Sequence, residues 1–99
     1  MDGIVIRYEY RGDEAAWQAA VDAFIAAIGQ HDAVRGKFRY TVTKAGDGVT
    51  RTHMGRWDSA ETLAAVQSSA YFKVFSETLK EMAGDSLQSA RMAVMASTD

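Results

Sequence analysis

The chain has 99 residues, of which 47% are apolar and 24% are charged, and its formal net charge is −2. These values are typical of one folded domain, so residues 1–99 are expected to form a single domain. The basic residues are scattered along the chain, which argues against a nucleic-acid partner, and no apolar run approaches the ~20 residues of a membrane helix.

The sequence contains no cysteine, which excludes disulfides and thiolate chemistry. The first strand-like run begins at Ile4, and this leaves no room for a signal peptide. A reducing, cytoplasmic location is therefore expected.

Three elements are predicted in the first half of the chain. Residues Ile4–Tyr10 alternate β-branched or aromatic residues with polar ones, as a strand does. A helix then begins at the capping residue Asp13 and ends at Gly29. Residues Lys37–Lys44 again alternate and predict a half-buried strand.

The second half begins with the partner strand of a hairpin. Residues Val49–Trp57 follow the turn at residues 45–48. Asp58 and Glu61 have the spacing of a capping box and open a helix. That helix is interrupted or restarted at Ser68-Ser69, and its apolar stripe continues to Gly84. A last strand is predicted over Leu87–Ala96.

The order strand, helix, strand, strand, helix, strand predicts an α+β fold of the ferredoxin-like βαββαβ type with an antiparallel sheet. Two helices cover one face of such a sheet. The first and last strands nevertheless carry apolar residues on both faces, including Val5, Ala93 and Met95. A second copy of the chain is the simplest cover for the other face, although such residues are also tolerated at a surface.

The segment from Met54 to Leu79 resembles the antibiotic biosynthesis monooxygenase-like family of the dimeric α+β barrel superfamily. The resemblance rests on the strand end Gly55-Arg56-Trp57, the helix start at residues 58–61, and the run Ser69-Ala70-Tyr71-Phe72 followed by Phe75 and Leu79. It implies that two protomers pack as a dimeric α+β barrel, with a cleft between the helices and the sheet of each. Members include cofactor-free oxygenases, haem-degrading enzymes, isomerases and domains without known activity.

In haem-degrading members, the resemblance implies an Asn on the first strand, a Trp at Trp57 and a His ten residues later. That last position holds Gln67, and the chain has no Asn at all. No haem is therefore expected. No nucleotide-binding motif occurs, and His31 and His53 lack the spacing of a metal site, so no cofactor or metal is expected.

Five residues are candidates for a site in the cleft. His53 is the candidate catalytic base, because a neutral imidazole accepts a proton near neutral pH, although a structural histidine hydrogen-bonded within the sheet is the more common case. Trp57 either stacks on a flat ligand or seals the join between strand and helix. Gln67, Tyr71 and Phe72 complete the expected substrate-binding set.

Three function classes follow. The first is a cofactor-independent monooxygenase or isomerase that acts on a small, hydrophobic, phenolic or quinol-like compound. The second is a non-catalytic module that binds a similar molecule. The third is a structural dimer without a ligand, in which Trp57 belongs to the core.

Overall fold

A computed structural model describes residues 1–99 and contains four strands, three helices and one 3₁₀ turn. In chain order they are β1 (Asp2–Glu9), α1 (Glu14–Gln30), β2 (Phe38–Lys44), β3 (Thr50–Trp57), α2 (Ala60–Gln67), α3 (Ala70–Ala83), the 3₁₀ turn (Gly84–Ser86) and β4 (Gln88–Ala93). The four strands form one sheet in the order β2-β3-β1-β4, and every neighbouring pair is antiparallel. The predicted ferredoxin-like α+β fold is confirmed.

The strand register decides which side chains face the helices. Ile4 lies opposite Gly55 on β3 and opposite Arg91 on β4, and Tyr40 also lies opposite Gly55. Side chains at alternate positions share a face, so these residues and His53 and Trp57 all belong to the helix side of the sheet. The hydrophobic core lies on this side, between the sheet and the buried faces of α1 and α3.

The helix boundaries follow local capping. Asp13 caps α1 as predicted, since its carboxylate accepts from the backbone N–H groups of Ala15 and Ala16. The expected end at Gly29 is wrong. The helix runs on to Gln30, because the backbone N–H of His31 still bonds to the carbonyl of Ile28.

The predicted capping box of Asp58 and Glu61 is also wrong. Ser59 is the residue that caps α2, with its hydroxyl accepting from the backbone N–H of Thr62. The Asp58 carboxylate bonds instead to the hydroxyl of Thr62. The interruption at Ser68-Ser69 is confirmed, because Ser69 caps a new helix.

The last strand is shorter than predicted. It ends at Ala93 rather than Ala96, since β1 offers no partner beyond Met1, whose carbonyl accepts the last bond, from Val94. Met95 therefore lies outside the sheet and is 91% exposed, which corrects its placement on a strand face. None of the helices is both long and apolar enough to cross a membrane.

Candidate functional site

A cavity of about 160 Å³ lies between the sheet and the helices, beside Trp57. Its deeper walls are aromatic and aliphatic side chains that are themselves buried: Phe24, Phe38, Trp57, Phe75 and Leu79. Four of its polar lining residues are exposed and surround its mouth: Gln67, Lys80, Ser89 and Arg91. An apolar interior with a few polar groups at the opening is the usual composition of a small-molecule site.

Trp57 forms one wall of this cavity and also closes the core. Its side chain is only 2% exposed, and its ring lies parallel to that of Phe38, with the ring centroids 6.0 Å apart. The Arg91 guanidinium lies over the Trp57 ring, 5.1 Å from the centroid. The two interpretations of Trp57 are therefore compatible, since it seals the end of β3 and also lines the cavity.

The space above Gly55 is filled by a neighbouring strand. A Cβ atom at this position would lie 3.2 Å from Cδ1 of Tyr40 and 3.4 Å from Cγ2 of Ile4. Glycine therefore allows the Tyr40 ring to lie against the sheet, where it becomes part of the cavity lining. Tyr40 therefore occupies the space that a side chain at residue 55 would fill.

Behind Tyr40 lies a chain of hydrogen-bonded side chains, defined here as the polar chain Trp17–Tyr8–His53–Tyr40. The indole Nε1 of Trp17 donates to the Tyr8 hydroxyl at 2.7 Å. The Tyr8 hydroxyl lies 2.8 Å from Nε2 of His53, and the Tyr40 hydroxyl lies 2.8 Å from Nδ1 of the same ring. His53 is completely buried, and both of its ring nitrogens have tyrosine hydroxyls as partners.

The polar chain has a direction, which we assign from its donors and acceptors. An indole N–H can only donate, so the buried Tyr8 oxygen accepts from Trp17 and directs its own proton to Nε2 of His53. Nδ1–H of His53 then donates to Tyr40. The Tyr40 hydroxyl proton is left as the outward donor at the end of the polar chain.

The ionisation of these groups agrees with that direction. Burial lowers the pKa of His53 to about 4, because the charged imidazolium is disfavoured away from water. The ring is therefore neutral at pH 7, with one donor and one acceptor nitrogen. Burial also raises the pKa of Tyr40, so this hydroxyl keeps its proton.

Only some of the five candidate residues named from the sequence line the same cavity. Trp57, Gln67 and Phe72 line the cavity, whereas His53 lies one hydrogen bond behind its wall. Tyr71 lines a separate groove between α1 and α3, and its hydroxyl lies 2.9 Å from Nδ1 of His31. His31 is accordingly half-buried against Tyr71.

Three further residues of the cavity lining, Tyr40, Lys80 and Arg91, are not among the five candidates named from the sequence. A signal for Tyr40 existed, because the hairpin register sets it opposite Gly55. No comparable signal existed for Arg91, whose position depends on the pairing of the distant strands β1 and β4.

Another charged residue on the helix side of the sheet has a structural partner. Arg51 is 1% exposed and donates to the Glu14 carboxylate at 2.7 Å, with its guanidinium 4.3 Å from the Trp17 ring centroid. No group of three His, Cys, Asp or Glu residues is arranged to hold a metal ion.

A second, larger groove of about 610 Å³ lies along α1 and the outer strand β2. It includes the exposed charged residues Glu14, Asp22 and Lys44, and an ion pair of 2.9 Å between Lys44 and Glu14 lies within it. The cavity beside Trp57 is more enclosed and is lined mainly by apolar side chains, including six aromatic rings, so it is the better candidate for binding an aromatic molecule.

Comparisons with known proteins support the fold. No family model matches the sequence, and no curated protein matches it. Among solved structures, Rv0793 from Mycobacterium tuberculosis is similar with a TM-score of 0.78 at 19% identity, covering 99% of this chain and 98% of that one. SnoaB, a cofactor-independent oxygenase from Streptomyces nogalater, has a TM-score of 0.76 at 12% identity, with coverage of 98% and 95%.

A protein assigned as a candidate antibiotic biosynthesis monooxygenase from Nitrosomonas europaea is similar as well. Its TM-score is 0.78 at 11% identity, and the alignment covers 97% of this chain and 100% of that one. The expected resemblance to antibiotic biosynthesis monooxygenases is thus confirmed at the level of the fold. At these identities the likeness concerns architecture, and chemistry has to be argued from the site.

Proposed function

We propose that this protein is a cofactor-independent monooxygenase that acts on a small phenolic or quinol-like compound. The observation that carries the proposal is the ring-lined cavity beside Trp57, with Tyr40 of the polar chain in its lining. The similarity in fold to SnoaB, a cofactor-independent oxygenase, supports the same reaction class. The absence of cysteine is in keeping with the cytoplasmic location expected for the protein.

The reaction draws its electrons from the organic substrate. A phenolic ring in its ionised form reacts with O₂, one oxygen atom enters the ring, and the other leaves as water with two hydrogens of the substrate. The product is a quinone. The protein has to exclude water and favour the ionised ring, and an apolar cavity closed by Trp57 and Phe75 serves the first requirement.

The polar chain serves the second requirement. We assign the Tyr40 hydroxyl as the donor that meets the substrate oxygen and stabilises its negative charge. His53 acts through Tyr40 rather than on the substrate, because it lies behind the cavity wall and is neutral at pH 7. His53 is then a positioning residue that aims the Tyr40 proton outward. Gln67 and Phe72 line the cavity and would orient the ring, whereas Tyr71 has this role only if α3 shifts.

We also propose that the protein is a homodimer that packs through the open face of the sheet. A row across all four strands, consisting of Thr41, Met54, Val5 and Ala90, lies on that face, and Met54 is 42% exposed. No helix of the same protomer covers this row. A second sheet packed on it would bury the apolar side chains of Met54, Val5 and Ala90 and complete a dimeric α+β barrel.

The test is oxygen consumption with hydroquinone as the probe. Purified protein should consume oxygen and form a hydroxylated quinone, and heavy-isotope oxygen gas should label one oxygen atom of the product. Conversion that continues without oxygen would indicate isomerisation. Saturable binding without any conversion would identify the protein as a binding module, and absence of both would leave the structural dimer.

A further inference from the structure

The mouth of the cavity carries two positively charged side chains that form no ion pair. Lys80 on α3 and Arg91 on β4 both line the cavity, and neither forms an ion pair with any carboxylate of the chain. No Asp or Glu is among the lining residues. This local charge contrasts with the net charge of −2 for the whole chain.

Arg91 is held at the mouth by its surroundings. Its side chain lies on the helix side of β4, opposite Ile4, and its guanidinium rests over the Trp57 ring at 5.1 Å from the centroid. Stacking on an aromatic face restricts a guanidinium while its N–H groups remain free at the edge of the plane. Those N–H groups match the two oxygens of a carboxylate.

The cavity volume limits the rest of the ligand. A space of about 160 Å³ is close to the ~150 Å³ of an engineered protein cavity that accommodates benzene. One ring therefore fits the cavity, and a fused polycyclic compound requires it to open. Tyr40 on β2 and Arg91 on β4 line the cavity from the two outer strands of the sheet, and Lys80 lines it from α3.

From the unpaired Lys80 and Arg91 at the mouth of this one-ring cavity, we propose that the ligand is a hydroxylated aromatic carboxylate. Its carboxylate lies between Arg91 and Lys80, and its ring lies against Trp57 and Phe75. Its phenolic oxygen meets Tyr40. This inference rests on the proposed function for the choice of a phenolic ring, but the preference for a carboxylate depends on the two cations alone.

Isothermal titration calorimetry without oxygen tests the preference. The probes are gentisate (2,5-dihydroxybenzoate) and 2,5-dihydroxybenzamide, which have nearly the same shape and differ in charge. Gentisate should bind about tenfold more tightly, as expected for hydrogen bonds to a charged group. This advantage should shrink as salt is added, because the cations are exposed.

Substitutions of the two cations test whether they cause the preference for gentisate. Arg91→Gln and Lys80→Gln should each remove most of the preference for gentisate, so that the acid and the amide bind each variant with nearly equal affinity. Lys73→Gln is the matched control, since Lys73 is another exposed lysine of α3 that does not line the cavity. Thermal unfolding of each variant checks that the fold is retained.

The outcomes separate this inference from the proposed function. Equal binding of acid and amide, or an unchanged preference in both Gln variants, would overturn the carboxylate inference even if hydroquinone is oxidised. A preference for gentisate that depends on Arg91 would support it even if no oxygen is consumed. Failure of both probes to bind would overturn it together with the proposed use of the cavity.

Discussion

The Tyr40 hydroxyl lies 2.8 Å from Nδ1 of His53, and this contact joins a side chain that lines the cavity to one that is completely buried. The sequence alone assigns to His53 both the acid–base side chain and the contact with the substrate, and in the structure these belong to two residues. The residue with the acid–base side chain, His53, has no access to the cavity, whereas Tyr40 has access and is held in its protonated form by burial. Under the proposed function, His53 therefore acts on the substrate only through Tyr40.

The first prediction concerns the protonation of His53. Burial lowers the pKa of this imidazole to about 4, so its ring signals in an NMR titration should change near that pH. The chain has only two histidines, and His31→Gln identifies the signals by elimination. A midpoint near the ordinary value of ~6.5 would contradict the assignment of a neutral, buried ring.

The second prediction is the stability consequence of that pKa. The unfolded chain takes up a proton at His53 below pH ~6.5, while the folded chain does so only near pH 4. The contribution of the neutral His53 ring to the free energy of unfolding is therefore complete above pH ~6.5 and is lost as the pH falls toward 4. At pH 4.5 the loss is about 2 kcal/mol in the free energy of unfolding.

Denaturant unfolding at pH 7 and pH 4.5 measures this loss. Subtracting the result for His53→Gln removes the contribution of the carboxylates, which titrate in both proteins. His31→Gln should retain the full pH dependence. If His53→Gln and the original chain lose equal free energy between the two pH values, His53 is not the group responsible.

The third prediction concerns Tyr40. In Tyr40→Phe the ring still packs over Gly55, but the outward donor is lost, so the rate of quinol oxidation should fall about 100-fold. Tyr71→Phe is the control, because the Tyr71 hydroxyl is engaged with His31 outside the cavity. The measurement is kcat and KM from oxygen uptake. Equal losses in both variants would assign the effect to general packing instead.

The fourth prediction uses the two tryptophans as probes. Hydroquinone bound in the cavity lies against Trp57, so its binding without oxygen should quench tryptophan fluorescence, and Trp57→Phe should abolish most of the response. Trp17→Phe should keep it, since Trp17 lies at the far end of the polar chain and does not line this cavity. A response that disappears with Trp17 would place the ligand in the groove beside α1.

Much of the fold follows from local sequence signals. Alternation in β2 and β3, the cap at Asp13 and the break at Ser69 correspond to patterns within a few residues of each other, and these features were predictable. The end of the last strand was predicted wrongly because a distant partner decides it. The last strand stops at Ala93 because β1 begins near Met1, and no pattern within residues 87–96 contains that information.

The site was predictable to a similar degree. Trp57, Gln67 and Phe72 follow from the strand and helix positions around residue 57, and all three line the cavity. The burial of His53 between Tyr8 and Tyr40 depends on three strands pairing in one register, and so does the location of Arg91. Side-chain networks across strands of this kind require the sheet order, which the alternation of single strands does not contain.

The last prediction concerns assembly. Met54 is 42% exposed in the protomer and lies at the centre of the open sheet face, between Val5 and Thr41. If a second copy packs there, Met54→Lys places an unpaired charge in the interface, costing several kcal/mol, so a dimer at micromolar concentration should become a monomer. Val74→Lys is the matched control, because Val74 is 63% exposed on α3, on the other side of the sheet. Sedimentation velocity measures the oligomeric state of both variants.

A dimer that survives Met54→Lys but dissociates with Val74→Lys would move the interface to the helices. A monomeric original chain would remove the barrel from the proposal.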